Sequence, residues 1–351
     1  MKRKVALVCN IKHYDSTKPK DYESEFDSIK TVNSIAEALK DGGNRVDVME
    51  ANGVLLPHLL KKKPDIVFNI SEGVGGSSRE AQVPSILEFL GIPYTGSGVL
   101  ALALALDKAK SKKIFITEGI PTPKFQVFTL ADEALDTGLK FPLIVKPNCE
   151  GSAKGISAKS VVCNEKELPN RVREVIETYK QPALVEEFIE GEEFTVGVLG
   201  NGQPYVFPPM LIDFSKCKAG GESFYSWRVK EYQGDEKQYL VPEFECPASI
   251  TKQEERKLKE VALKSHQAIG CVDISRTDIR LSKNGVPYVL EINPLPGLDP
   301  DESNFTKITN SCGIKYKDLI NTILELACKR YNLTGSDKKE EEKIVHRLQA
   351  V

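Results

Sequence analysis

The 351-residue chain has little that would tie it to a polyanion, a bilayer or an oxidising compartment. Its 48 basic and 50 acidic residues leave a net charge of −2, so no global field draws it toward nucleic acid or anionic lipid. Aromatic residues are scarce, with a single Trp, and neither a basic–aromatic cluster nor a long basic amphipathic helix appears. No nucleic-acid or membrane partner is expected. The longest strongly apolar stretch, Val99–Leu106, is far too short to cross a bilayer. Eight cysteines (Cys9, Cys149, Cys163, Cys217, Cys246, Cys271, Cys312, Cys328) include no Cys-x-x-Cys pair, and no histidine stands at ligand spacing. That excludes a disulfide framework and a structural zinc site, and predicts buried free thiols in a reducing, cytoplasmic setting. The opening MKRKVALVCN has a basic start, but its apolar run breaks at Asn10 and reads as a first strand, not a signal peptide.

What is present is strand–helix alternation. Lys4–Cys9 is a compact apolar run suited to a strand buried on both faces. Ile29–Lys40 has helical periodicity and stops at Gly42-Gly43; Arg45–Val48 and Ile66–Ile70 read as strands, and Ala81–Leu90 as a helix ending at Gly91. This predicts a parallel sheet covered by helices, with ligands at the carboxyl ends of its strands. From about Lys108 the texture changes. Phe141–Lys146 is a strand ending in a lysine, and Ala183–Phe188, the turn Glu190-Gly191 and Phe194–Leu199 have the signature of an antiparallel hairpin. Residues 251–269 form an amphipathic helix, Thr277–Leu281 and Tyr288–Ile292 are strands joined by Lys283-Asn284-Gly285, and helical periodicity returns over Lys317–Lys329. A charge-dense tail closes the sequence.

Three constellations carry chemistry. Alternation puts Glu291 and Asn293 on one face of a strand, with Asp278 on the preceding strand across a tight turn. Three hard oxygen donors suit Mg²⁺, although the wet face of a hairpin looks much the same; the rigid Pro294-Leu295-Pro296-Gly297 turn directly afterwards favours the metal. Lys146 followed by EGSAKGIS can set an ammonium, the amides of Gly151 and Gly155 and the Ser152 hydroxyl against phosphate oxygens, but it is not a Walker loop. The strand around Glu186, with Phe188, Ile189 and Glu193, could suit an adenine and a ribose, but in isolation it reads by default as a surface hairpin with spare acids.

In order and combination these segments resemble the ATP-grasp fold and, within it, the D-alanine–D-alanine ligases. The resemblance is carried by GIPYTGSGVLALALALDK (Gly91–Lys108), VKPNCEGSAKGIS (Val145–Ser157), EEFIEGEEFTV (Glu186–Val196) and RTDIR…EINPLPGL (Arg276–Leu298), and spans roughly residues 1–335. It implies a mixed α/β chain with an N-terminal parallel-sheet domain over 1–107, ATP-grasp subdomains over 108–195 and 196–335, and a charged tail over 336–351. It further implies that Lys108, Lys146 and Lys230 contact ATP phosphates, that Glu186 with Phe188 and Ile189 binds adenine, and that Glu193 binds ribose. Asp278, Glu291 and Asn293 would hold two Mg²⁺ ions, a role Mn²⁺ can also fill, and Arg276 with the Gly297 amide would stabilise an oxyanion. Ser152 would sit in a loop closing over the site, as would the stretch from Lys218 to Gln238. The implied activity is ATP-dependent ligation of amino-acid substrates through an acyl phosphate, supplying a cell-wall peptidoglycan precursor; a homodimer through the N-terminal domain is compatible with the family.

The substrate end departs from the family pattern. Glu72-Gly73 replaces a His-Gly pair, and Ser78-Arg79-Glu80-Ala81 replaces Gly-Glu-Asp-Gly. A longer loop supplies Glu23 and Glu25 for the donor ammonium, Glu23 being favoured on spacing. The family's tyrosine after the phosphate lysine shifts to Tyr232, and its serine for the second carboxylate shifts to Ser303. Glu72 and Arg79 are expected either to alter substrate choice or to form an internal ion pair. Two alternatives stand beside D-alanine ligation: an ATP-grasp ligase for another amino acid or amine, and a nucleotide-binding regulator without turnover. Retention of Arg276, Lys230 and the three metal oxygens argues against the regulator.

Overall fold

Short apolar runs between polar loops leave little choice in the N-terminal part. β1 (Lys4–Cys9) lies between β2 (Arg45–Glu50) and β3 (Ile66–Asn69), all parallel. The computed structural model describes residues 2–13, 21–220 and 241–333, with 224, 226, 227 and 229 between; the tail at 336–351, Lys230, Tyr232 and most of 218–238 lie outside the described residues. One face of the sheet is covered by Val32, Ile35 and Leu39 of the Ile29–Asp41 helix, packed with Ile320, Ile323 and Leu324 of the Tyr316–Arg330 helix. Leu55, Leu59, Val83 and Leu87 cover the other. Arg330 welds the late helix in place, donating to Asp273 Oδ2 at 2.8 Å and to the carbonyls of Tyr94 and Gly96.

A second, antiparallel sheet comprises β4 (Phe125–Phe128), β5 (Leu143–Pro147), β6 (Val161–Val162) and β7 (Ala183–Glu187), in the order β4-β7-β5-β6. It packs through Leu143 and Val145 on Val172 and Val175 of the Leu168–Tyr179 helix. The third sheet holds β8 (Gly191–Leu199), β9 (Tyr205–Val206), β10 (Met210–Asp213), β11 (Glu243–Glu245), β12 (Ile274–Ser282) and β13 (Pro287–Asn293). Its order is β11-β10-β8-β12-β13, with β9 also on β8. The Lys252–Ile269 helix starts at a reciprocal Thr251–Glu254 cap and stops at left-handed Gly270. It presses Leu258 and Ala262 against Phe194, Val196, Ile279 and Ile292.

The expected hairpin through Glu190-Gly191 is corrected by this topology. β7 pairs with β4 and β5, whereas β8 pairs with β9, β10 and β12, so the two strands belong to different sheets. Glu190-Gly191 is a passage between sheets, not a reverse turn. Gly191 has φ +153°, and a Cβ there would stand 2.0 Å from the Leu281 carbonyl oxygen; the close approach of β12 demands glycine. The passage precedes the boundary expected at 195, which falls inside β8.

Two helices escape a search for apolar stripes. Val99–Leu106 is uniformly apolar, and Lys108–Thr117 buries Lys108, Ser111 and Lys112 beside Phe115. They meet at Asp107, whose carboxylate accepts from the Lys110 amide at 3.0 Å and from Asn148 Nδ2 at 2.7 Å. Asn148 Oδ1 in turn accepts from the Ala109 amide. The start of this helix is thereby tied to the end of β5. All eight cysteines are free thiols, and Cys163 is exposed, unlike the buried thiols expected.

His266 lies on the inner face of the Lys252–Ile269 helix, its Nδ1 2.7 Å from Ser275 Oγ. Burial pushes its imidazole down to about 4, with Asp273 opposing. The unfolded chain takes up this proton near pH 6.5 and the folded one only near 4, so stability drains away as the pH falls through that window. Denaturant titrations between pH 6.5 and 4 should show a steeper loss for wild type than for His266→Gln. Equal slopes would refute this origin.

Candidate active site

Register and alternation build one polar surface from three strands. Glu193, Thr195 and Gly197 on β8 stand opposite Arg280, Asp278 and Arg276 on β12, and Asp278 and Arg276 stand opposite Glu291 and Asn293 on β13. The intervening residues Phe194, Val196, Ile279 and Ile292 face the core. Asp278 is the hub: Arg276 Nε and Nη2 donate to its two oxygens at 3.0 and 2.8 Å, Thr195 Oγ1 at 2.6 Å and Asn293 Nδ2 at 3.2 Å. Glu193 accepts from Arg280 Nη2 at 3.1 Å, and the Arg280 guanidinium lies 5.1 Å from the centre of the Phe188 ring.

The central β5–β7 pair of the second sheet faces this surface across a cavity of about 360 Å³. Lys146 Nζ donates to Glu186 Oε1 at 2.6 Å, and Lys112 Nζ stands 3.0 Å from Oε2 and 2.8 Å from Thr122 Oγ1. Burial opposes ionisation of Glu186, but Lys112 and Lys146 hold its carboxyl below the usual range. Lys112 itself is driven down to about 8 by burial, with Lys146 adding repulsion and Glu186 resisting. Lys108, at the head of its helix, sits 3.2 Å from Glu291 Oε2 and donates to the Glu150 carbonyl. Burial opposes the Glu291 charge too, yet Lys108, Lys146 and Arg276 bring it down to about 2. Glu186 and Glu291 are thus kept ionised by cations that an incoming polyanion can engage, whereas burial raises Glu193 against the pull of Arg280.

The other end of the cavity is acidic, with Glu25, Asp27, Glu72 and Glu80 in its wall. Burial, then Asp299, lifts Asp27 to about 7; burial, then Glu25, lifts Glu80 to about 7. Burial and Glu80 raise Glu72 well above the carboxylate range. Asp27, Glu72 and Glu80 therefore hold protons more readily than ordinary carboxylates, and a cationic ligand would displace them.

Of the residues expected from sequence, Lys108, Lys146, Ser152, Glu186, Phe188, Ile189, Glu193, Arg276, Asp278, Glu291, Asn293, Gly297, Glu72 and Ser303 line this one cavity. Ser303 Oγ accepts from the Asp299 amide at 2.9 Å, beside Gly297. Glu23 is not in the wall; it accepts from the His13 amide, and Glu25 takes the place in the cavity. Arg79 is not in the wall either, its guanidinium being consumed by Glu25, Glu150 and the Cys149 carbonyl. Lys230 and Tyr232 lie outside the described residues. Sequence reasoning missed Lys112, Thr195, Arg280 and Glu80. Arg280 was within reach, being two residues beyond Asp278 on the same strand face.

The donor set can be tested against a divalent cation. Among the described residues no three His, Cys, Asp or Glu side chains form a self-sufficient metal cage. Two carboxylates and one amide on adjacent strands are what Mg²⁺ takes when phosphates and water complete its shell. With Glu291 ionised and Asp278 hydrogen-bonded, the residues fit. No described helix is long and apolar enough to cross a membrane.

Residues 114–325 match the family model described as D-ala D-ala ligase C-terminus. An uncharacterised protein of Sinorhizobium fredii is 32% identical over 342 residues, covering 93% of this chain and 98% of its own. A D-alanine–D-alanine ligase of Carboxydothermus hydrogenoformans is 36% identical, covering 85% of this chain and 93% of its own length. Among solved structures, the D-alanine–D-alanine ligase of Bacillus anthracis complexed with ATP superposes with a TM-score of 0.72 at 24% identity, over 95% of this chain and all of the other.

Proposed function

We propose, since the chain belongs to the D-alanine–D-alanine ligase family and has the ATP-grasp fold, that it is an ATP-dependent ligase joining two molecules of D-alanine for peptidoglycan synthesis in the cytoplasm. The observation that carries this reading is the register-matched polar face of β8, β12 and β13 opposite the Lys146–Glu186 pair, across one cavity.

A free carboxylate is a poor electrophile because oxide is not a feasible leaving group at neutral pH. Transfer of the γ-phosphoryl group to a carboxylate oxygen turns that oxygen into part of a phosphate leaving group. This step needs positioning and charge neutralisation more than covalent help. Lys108 and Lys146 meet the ATP phosphates, Glu186 and the Phe188–Ile189 backbone meet adenine, and Glu193, oriented by Arg280, meets the ribose. Asp278, Glu291 and Asn293 would hold two Mg²⁺ ions, replaceable by Mn²⁺, which supply charge neutralisation for the transferring phosphoryl group. The acidic end takes the donor ammonium, with Glu25 in place of Glu23. The second amine attacks the acyl carbon, and Arg276 with the Gly297 amide receives the oxyanion. Phosphate then leaves and the amide remains. Ser303 meets the second substrate's carboxylate.

The test is ATP-dependent phosphate release and dipeptide formation with D-alanine, and with other D- and L-amino acids because Glu72 and Glu80 enrich the acidic end. D-alanine should stimulate phosphate release and yield its dipeptide. Absence of release with every amino acid, despite bound ATP, would overturn the ligase in favour of a nucleotide-binding regulator.

A further inference from the structure

The loop that follows β5 does not stand alone. Its Gly151 amide donates to Glu25 Oε1 at 2.6 Å, and a Cβ at Gly151 would meet that same oxygen at 2.6 Å. Arg79 lies beneath this contact, 7% exposed. Nη1 donates to the Cys149 carbonyl at 2.8 Å, while Nη2 reaches Glu25 Oε1 and, at 3.2 Å, Glu150 Oε2. Glu150 is held from its other sides by Lys154 at 3.1 Å and Gln181 at 2.7 Å, and its carbonyl accepts from Lys108. Ser152 and Ala153, next along the loop, have left-handed φ of 52° and 55°, a conformation that non-glycine residues keep only when their surroundings enforce it. One guanidinium therefore ties three parts of the site together: Glu25 in the acidic end, the Cys149 carbonyl and Glu150 carboxylate at the entry to the loop, and through Glu25 the Gly151 amide.

We propose that Arg79 is a positioning residue that couples the acidic substrate end to the phosphate-side loop, holding the 149–153 backbone where it shields the acyl phosphate from water. Arg79 touches neither nucleotide nor amino acid; it acts through Glu25 and Glu150. The proposal rests on the ligase reading above and adds to it the residue that makes loop closure depend on the donor pocket. Its chemical consequence is specific. Attack on the acyl carbon by the second amine breaks the C–O bond to phosphate and gives dipeptide plus phosphate. Attack by water breaks the same bond, returns the donor amino acid and releases phosphate without dipeptide. A displaced loop admits water and shifts the partition.

The experiment compares wild type, Arg79→Met, Arg79→Lys and Gly151→Ala with ATP, Mg²⁺ and D-alanine, measuring phosphate and dipeptide separately, ATP affinity without amino acid, and melting temperature. Wild type should release one phosphate per dipeptide. Arg79→Met should lose about tenfold or more in dipeptide formation, release several phosphates per dipeptide, and bind ATP within about threefold of wild type. Arg79→Lys keeps one charge without the fork and should recover part of the coupling. Gly151→Ala, which displaces Glu25 from the loop side and leaves Arg79 intact, should reproduce the uncoupling even if Arg79→Met is too unstable to study. Phosphate-to-dipeptide ratios unchanged from wild type in Gly151→Ala and in every soluble Arg79 variant would overturn the proposal. Failure of wild type to make dipeptide would instead overturn the ligase reading.

Discussion

Arg276→Ala should lower dipeptide formation by at least about 100-fold, the usual consequence of removing one preorganised donor from an oxyanion site. Arg276 sits on β12 in the polar face, in register with Gly197 and Asn293, with Nε and Nη2 both on Asp278. That fork fixes the guanidinium plane before any substrate arrives, so little reorganisation is left for the chemical step. The substitution leaves Asp278 hydrogen-bonded by Thr195 and Asn293, so the metal-side carboxylate stays in place. Nucleotide binding, which the proposal assigns to Lys108, Lys146, Glu186 and Glu193, should change little. Lysine at 276 keeps a charge but cannot make the fork, and should fall between the two. Single-turnover phosphate release with a parallel nucleotide titration separates these effects. If Arg276→Ala turns over within about threefold of wild type, the oxyanion role fails.

The legibility of this site in the sequence follows from what each residue's neighbours reveal. Asp278, Glu291 and Asn293 were readable because strand periodicity and one short turn place them on a shared face, and the observed register pairs Asp278 with Glu291. Lys146 was readable as the polar end of an apolar strand. Lys112 was not: it belongs to a helix that buries two lysines and a serine along with Ala109 and Phe115, so the apolar stripe that marks a helix is broken there. The hairpin error has a similar root. Two apolar segments around Glu190-Gly191 look the same whether they pair with each other or with strands far away in sequence, and here β8 finds β12 some eighty residues later. Spacing favours Glu23, yet Glu25 lines the cavity, because its placement depends on Arg79 and Gly151, which approach Glu25 from distant segments.

Glu186→Gln should be the most destabilising single substitution in the site, because Glu186 is the counter-charge for two buried lysines. Breaking a buried ion pair from one side typically costs about 3–5 kcal/mol, most of it the penalty of the charge left behind, and here two charges are left. Lys112→Met removes the surplus positive charge and leaves Lys146 and Glu186 matched one to one. Its main loss is the hydrogen bond to Thr122, about 1 kcal/mol. The order of stability should therefore be wild type and Lys112→Met close together, with Glu186→Gln far below. The pH dependence gives an independent check. Lys112 already titrates at about 8 in the folded protein, below its value in an unfolded chain, so holding it charged opposes folding, and that opposition fades as the pH rises from about 8 toward 10.5. With Glu186 neutral, the folded-state value drops further and relief begins at lower pH. Denaturant titrations should show Glu186→Gln recovering stability relative to wild type between pH 7 and 9, and the Lys112→Met/Glu186→Gln double variant should regain part of the loss at pH 7. A Glu186→Gln protein as stable as wild type at pH 7, with no gain on alkalinisation, would mean that the two lysines do not share one buried counter-charge.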